Sequence, residues 1–329
     1  MTTEPKSKLS ELQATISKMS LEACCVAVLP ELGLLWGDVS RAIRASRLPM
    51  TPASAARVLC KHIARSLPAE EYDDLLNRLK LKLVATQNRV WHLVSLSEPE
   101  SEEPVSVAAM TSRVRHALRK AKAPKNMITV VESVNIGDLV YFSVQLVSAT
   151  RQGNTLYCAV PPGRPVALLS SLGAKTMLKA IVEGLGYKTH TDESLHGRDI
   201  PSLLRIHARG SGADHVQLLE GAPEYRPQPL LTDNGIDFTY KGYNEEYMEL
   251  VMGPDPPLMT DLKIQTSEPF FDPNRLKKNI NLTIELKSPD IASTLKEWVK
   301  LGALSPTSPL VQIFHQTQNN SIAYQRDDH

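Results

Sequence analysis

The sequence predicts an α+β protein, all-helical at its N-terminus and mixed in strands and helices after that. Apolar residues recur at helical spacing from about residue 7 to residue 94. Runs rich in β-branched and aromatic residues follow at 127–131, 139–147 and 156–160 and read as a meander. Near the C-terminus, Ile280, Leu282, Ile284 and Leu286 alternate with polar residues, the mark of a half-buried strand.

Each element has its own signal. Leu9, Leu12, Ile16 and Met19 mark a first helix. An apolar stretch over 21–29 ends at Pro30, and a third segment, 39–48, alternates apolar residues with Arg41, Arg44 and Arg47. Thr51 before Pro52 is an N-cap followed by proline at the first helical position, opening a helix through Val58, Leu59 and Ile63. Pro68, Glu70 and Glu71 open the next, which carries Leu75, Leu76, Leu79, Leu83 and Val84. Short connections between short helices predict a bundle of five or six.

The stretch 97–103, SEPESEE, has no apolar residue and reads as a solvated boundary. A helix is expected over 107–122, stopped by Pro124. The meander follows it, with a turn at Gln152-Gly153-Asn154, and then helices over 174–185 and 200–208. A second break, rich in Gly and Pro, covers 209–229. In the last segment, Ser288-Pro289 is read as capping a helix with Ile291, Leu295, Trp298 and Val299 that stops at Gly302, and 310–314 is read as a strand. The expected domains are therefore 1–96, 104–209 and 230–329.

Composition narrows the class. The 329 residues are 42% hydrophobic and 22% charged with a net charge of +1, the balance of an ordinary globular chain. The N-terminus, MTTEPKSKLSELQ, lacks a long apolar core, so no secretory signal is expected, and no run reaches the ~18 apolar residues of a membrane span. Cytosol or nucleus is the expected compartment. Cys24, Cys25, Cys60 and Cys158 sit in apolar contexts without C-x-x-C spacing and are expected to be reduced, buried thiols.

Catalytic motifs are missing. There is no G-x-S-x-G, H-E-x-x-H or G-x-x-x-x-G-K-[ST]. Gly184-Leu185-Gly186 and Gly210-Ser211-Gly212 read as a helix end and a loop, and Glu245-Glu246 as a solvated face. His190 and His196 lack further ligands at metal spacing. No catalytic residue, cofactor or metal is assigned, and the chain is read as a non-enzyme.

One local pattern stands apart. Between Val107 and Asn126 lie Arg113, Arg115, Arg119, Lys120, Lys122 and Lys125, and no acid. On a continuous helix, 115, 119 and 122 share a face. Phosphate binding requires long cationic side chains on one side of a rigid element. Arg44 and Arg47 in the first domain, and Arg89 just before Trp91, could extend the stripe. Few aromatics interleave with these cations, so duplex-backbone contact fits better than a single-strand stacking platform.

Several short segments, in order along the chain, resemble the centromere protein N family. They are Gln87-Asn88-Arg89-Val90-Trp91, the basic stretch from Lys122 through Asn126 to Thr129, and Leu195-His196-Gly197-Arg198 followed by Ser202-Leu203. The last runs from Ile284-Glu285-Leu286-Lys287-Ser288-Pro289 through Gly302 to Ser305-Pro306-Thr307-Ser308-Pro309-Leu310. The resemblance implies a pyrin-like helical domain, an α+β family-specific DNA-binding domain and a C-terminal heterodimerisation region. It implies a non-enzymatic inner-kinetochore protein in the nucleus, at the centromere. Such a protein binds the nucleosome containing the centromeric histone variant, pairs with centromere protein L and assembles other inner-kinetochore subunits, with no membrane role.

Carried over by the resemblance, Arg89, Lys122, Lys125 and Arg198 are DNA contacts. His196 stands where the family has another arginine, a departure that weakens the contact near neutral pH. Arg115 and Arg119 on the same helix, and Lys6, Lys8, Lys18, Arg44 and Arg47 in the first domain, join the DNA set by charge. Glu11, the sole acid between Lys6 and Leu21, is the candidate histone contact. Ile284, Leu286 and Trp298 are the candidate partner interface. The alternative is a protein-interaction adaptor with a death-fold-like helical domain and no DNA affinity. An enzyme with an unfamiliar site is a third.

Overall fold

Helical spacing becomes burial in the first segment. Leu12, Ile16, Ile43, Leu59, Ile63, Leu75 and Leu79 are fully buried in one core. The computed structural model describes residues 4–87, 89–101, 105–121, 128–147, 152–210, 223–227, 230–237, 242–269, 279–315 and 317–324. Among the described residues helix fills 48% and strand 26%, with largely antiparallel sheets, which makes the class mixed α+β.

Helices α1 (Glu4–Ser17), α5 (Pro52–Ser66) and α6 (Tyr72–Thr86) pack together, and α4 (Trp36–Ala45) packs on α5. Thr51 caps α5 as its sequence predicts, accepting from the Ser54 N–H, with Pro52 in the first turn. The apolar stretch after Leu21 does not stop at Pro30. It runs as α2 (Leu21–Ala23), one π-helical segment (Cys24–Val28) and α3 (Leu29–Leu32), ending at Gly33 with φ 62°. Proline lacks an N–H and its ring crowds the carbonyl four residues back. The backbone widens instead, and the Leu29 N–H donates to Cys24 O.

Lys82 on α6 holds that widened segment. Its Nζ lies 3.0 Å from Ala27 O and 2.6 Å from Glu31 Oε1, and Arg78 Nε lies 3.1 Å from Glu31 Oε2. Burial alone would raise the Glu31 pKa, but the hydrogen bond and charge of Lys82, with Arg78, bring it below the ordinary carboxylate value.

The helical pattern ends sooner than expected. At Gln87 the backbone turns extended, and β1 (Trp91–Pro99) follows, taking residues read as the end of the bundle and the start of the boundary. Trp91, Leu93, Val94 and Leu96 are buried in it. Leu and Val at mixed spacing fit a helix or a strand, and extended backbone before Trp91 decides for the strand. Then come α7 (Val107–Lys120), β2 (Ile128–Ile136), β3 (Leu139–Val147), β4 (Gln152–Val160), β5 (Val166–Leu169), α8 (Lys175–Leu185), β6 (Tyr187–Gly197) and α9 (Ile200–Gly210). The meander is antiparallel from β2 to β5, within a sheet of order β2-β3-β4-β5-β1-β6.

The chain divides into two compact units. The first comprises 1–89 and 95–191, the second 90–94 and 192–329, with β1 and β6 passing from one to the other. Within the first unit, α6 packs on β2 and β3, so the helical segment and the meander share one body. Helix α7 packs on α8 and β2, burying Met110, Val114 and Leu118 at spacings of four.

Gly184, read from the sequence as part of a helix end, is where α7 and α8 meet. A Cβ placed there would sit 2.5 Å from Val114 Cα and 2.9 Å from Val114 N, backbone atoms that cannot rotate away. Gly184→Ala is therefore expected to destabilise by ~1–3 kcal/mol through overpacking, outweighing the ~1 kcal/mol that alanine gains in a helix. A urea midpoint at or above that of the unmodified chain would contradict this. Gly186 does end α8, at φ 92°.

In the second unit, α10 (Gly242–Met252) packs on α11 (Ile291–Lys300), and α12 (Pro309–His315) follows. A hairpin joins β7 (Leu230–Thr232) to β8 (Gly235–Asp237), and β9 (Asp261–Pro269), β10 (Asn279–Lys287) and β11 (Ser321–Tyr324) form a sheet of order β10-β9-β11. The segment 310–314 is thus helical, not a strand. Ser308 followed by Pro309 is the same opening signature as Thr51-Pro52, and it outweighs a short apolar run that fits either form. The cap of α11 is Asp290, which accepts from the Ser293 N–H, not Ser288. The Ser288 hydroxyl instead lies 2.6 Å from that of Thr294.

Strand β10 forms as its alternation predicts, with Leu286 half-buried, but the middle of its apolar face is less covered than expected. Leu282 is 51% and Ile284 39% exposed, although Ile284 lies opposite the buried Ile264 of β9. Trp298 on α11 is 37% exposed.

Candidate nucleic-acid interface

Helix α7 turns its apolar stripe inward, which drives its basic residues outward. Arg115, His116, Arg119 and Lys120 are all exposed. The helix ends at Lys120, and Ala121 takes extended backbone with ψ 129°. The expected stripe of 115, 119 and 122 on one helix is therefore cut after Arg119. Lys122 and Lys125 lie outside the described residues. Arg119 and Lys120 occupy the last turn, where a cation stabilises the carbonyl end of the helix while its head stays in water.

The other cations of α7 are partly engaged. Arg113 Nη2 lies 2.8 Å from Glu100 Oε2, and Arg115 Nη2 donates to Val131 O on β2 at 3.1 Å. One bond leaves most of a guanidinium's five donors available, so Arg115 is oriented by the sheet rather than used up by it. Burial raises the Glu132 carboxyl pKa, and the nearby Arg115 opposes that rise.

In the helical bundle, Lys18, Arg44 and Arg47 are exposed. Arg47 closes α4 in the left-handed conformation at φ 51°, and the Leu48 N–H donates back to Ile43 O at 3.2 Å. Glycine fits that position without strain. An arginine there therefore keeps a long cation at the helix end at some conformational cost. Lys8 is ion-paired to Asp73, and Arg41 to Asp38 at 2.5 Å. The Lys6 side chain lies outside what is described. Glu11 is half-exposed and bound by Lys80 Nζ at 2.6 Å, so a histone arginine would have to displace or share that lysine.

Arg89 lies just beyond α6, its guanidinium carbon 4.6 Å from the centre of the Tyr157 ring. In the second unit, Arg198 is exposed. His196 places Nε2 2.8 Å from Asp261 Oδ1, its ring 5.6 Å from that of His92, and its N–H on Asn320 Oδ1 at 2.7 Å. Desolvation, then the charge of His196, lowers the His92 pKa, while Asp192 opposes.

The residues that sequence reasoning missed are the partners: Tyr157 under Arg89, Glu100 on Arg113, Asp261 on His196 and Lys80 on Glu11. All lie far enough along the chain from their partners that only the fold brings them together, Glu100 being the nearest. Three thiols are buried, and burial pushes Cys60 up to about 11 and Cys158 up to about 12. Burial, with Cys25 beside it, pushes Cys24 up to about 11, so all three stay protonated at neutral pH. Among the described residues no cluster of His, Cys, Asp or Glu could hold a metal ion, and no single helix is long and apolar enough to cross a membrane. No protein-family model matches the chain, and no curated protein matches it.

Proposed function

We propose that the protein is a non-enzymatic, nucleosome-binding component of the inner kinetochore, of the centromere protein N type, which grips duplex DNA through phosphate contacts. The observation that carries this reading is α7. It is a basic, acid-free helix whose apolar stripe is buried and whose Arg115, Arg119 and Lys120 face solvent. Lys122 and Lys125 continue the charge in sequence. Arg44 and Arg47 on a pyrin-like bundle, Arg89, and Arg198 with His196 add further contacts, and Glu11 reaches the histone. Such contacts position a protein on DNA without reading bases, so sequence preference is weak.

The same reading assigns the C-terminal sheet to partner binding. In the sheet order β10 is terminal, and it exposes Leu282 and Ile284. An edge strand with an uncovered apolar face is suited to strand addition by centromere protein L. Leu282→Glu with Ile284→Glu is expected to cost ~1 kcal/mol of stability or less. It is also expected to abolish co-purification with that partner, and retained co-purification would contradict the assignment.

Gel shifts with centromeric-variant nucleosomes, ordinary nucleosomes and free duplex test the proposal. It predicts binding to all three, tightest to the first. Absence of any shift leaves the adaptor reading, which predicts no DNA affinity.

A further inference from the structure

We propose that Tyr157 is a positioning residue for Arg89, presenting its guanidinium to a DNA phosphate. This rests on the DNA-contact reading above and adds a device to it.

Both members of the pair are fixed from below. Tyr157 lies on β4 between the buried Leu156 and Cys158. Its N–H donates to Ser170 Oγ at 2.9 Å, and its carbonyl accepts from the Ser170 N–H at 2.9 Å. The ring therefore stands on backbone held from the neighbouring β5 side. The Arg89 N–H donates to Gln87 O at 2.8 Å, pinning the chain just beyond α6. The guanidinium carbon then lies 4.6 Å from the ring centre, well within cation–π range.

A ring within cation–π range attracts the guanidinium's charge without the paired N–H···O bonds that a carboxylate takes up, so N–H donors remain for a phosphate. A carboxylate partner would have engaged those donors, as Glu100 does for Arg113. Among the described residues no carboxylate pairs with Arg89. A half-buried arginine held by a ring rather than by an acid keeps its full charge and its phosphate-binding geometry. It also loses less side-chain freedom when DNA arrives.

The test is fluorescence anisotropy of the full chain with a labelled mixed-sequence duplex, across a salt series. Arg89→Ala is expected to weaken binding and to reduce the slope of log K against log salt by about 0.9, one phosphate contact. Tyr157→Leu is expected to weaken binding roughly two- to tenfold, the factor that follows from immobilising one long side chain. Tyr157→Phe, which keeps the ring, restores it. In the Arg89→Ala background, Tyr157→Leu adds nothing. Arg89→Lys leaves the sheet untouched and keeps the charge while losing the planar guanidinium. It is expected to fall by a similar factor, so the role stays testable if Tyr157→Leu does not fold. Loss in Arg89→Ala with unchanged binding in Tyr157→Leu and Arg89→Lys overturns the positioning role and leaves the DNA reading standing. No effect of Arg89→Ala in a chain that binds the duplex overturns it as well. An unmodified chain that binds no duplex overturns both.

Discussion

Lys82→Ala is expected to lower the stability of the first unit by ~1–3 kcal/mol, the cost of losing charge-assisted hydrogen bonds and leaving a carbonyl without its donor. Lys82 is only 8% exposed, and its ammonium joins a main-chain carbonyl and a carboxylate on the π-helical side of the bundle. Removing it leaves Ala27 O and Glu31 Oε1 without that donor, with Arg78 alone on the other carboxylate oxygen. Against the 5–15 kcal/mol of a typical domain this is a sizeable fraction, and a thermal midpoint lower by on the order of 5 °C is the expected readout. A midpoint within 2 °C of the unmodified chain, roughly half a kcal/mol, would show that the pair contributes nothing.

The same pair sets an acid sensitivity. The Glu31 pKa is lowered in the folded chain, so its contribution is fully present above the ordinary carboxylate value of 4.5 and is lost as pH falls through the lowered one. Glu31→Gln should flatten that part of the stability profile.

The other large effect is on binding. Arg119→Glu combined with Lys122→Glu and Lys125→Glu is expected to weaken nucleosome binding on the order of a hundredfold at physiological salt, and to reduce the salt slope by about three. Arg119 is exposed at the end of α7, so its reversal leaves the buried Met110, Val114 and Leu118 stripe intact. For Arg119 the cost to the fold is an unfavourable charge at the helix C-terminus, ~0.3–1 kcal/mol. Circular dichroism should be unchanged. Equal affinity in the folded variant would refute the assignment of this segment to DNA.

Much of the fold was legible because local signals agreed with it. Thr51-Pro52 opened a helix, β3 kept its expected bounds, and Gly186 and Gly302 ended helices, whereas β2 runs on to Ile136 and β4 takes in Gln152-Gly153-Asn154, which had read as a turn. The misreadings came from apolar runs too short to carry a period. The segments 91–96 and 310–314 each fit helix or strand, and the deciding features lay outside the run: extended backbone at Gln87 and a serine before Pro309. Pro30 misled for another reason, since a π turn lets a helix pass a proline when a buried lysine stabilises the widened turn.

The candidate site was legible as charge but not as geometry. The basic residues of α7 are visible in sequence because no acid intervenes. That Arg113 is held by Glu100, Glu11 by Lys80 and His196 by Asp261 depends on chain crossings that no local pattern encodes. Gly184 is similar: its need for close approach comes from Val114, seventy positions earlier in the chain.

The most direct test of the DNA-backbone account is the salt dependence of nucleosome binding by the unmodified chain. With roughly nine phosphate contacts, the account predicts a linear fall of log K with log salt with a slope of about −8, and an affinity that hardly changes with DNA sequence. A flat salt response, or no binding at 50 mM salt, would contradict it.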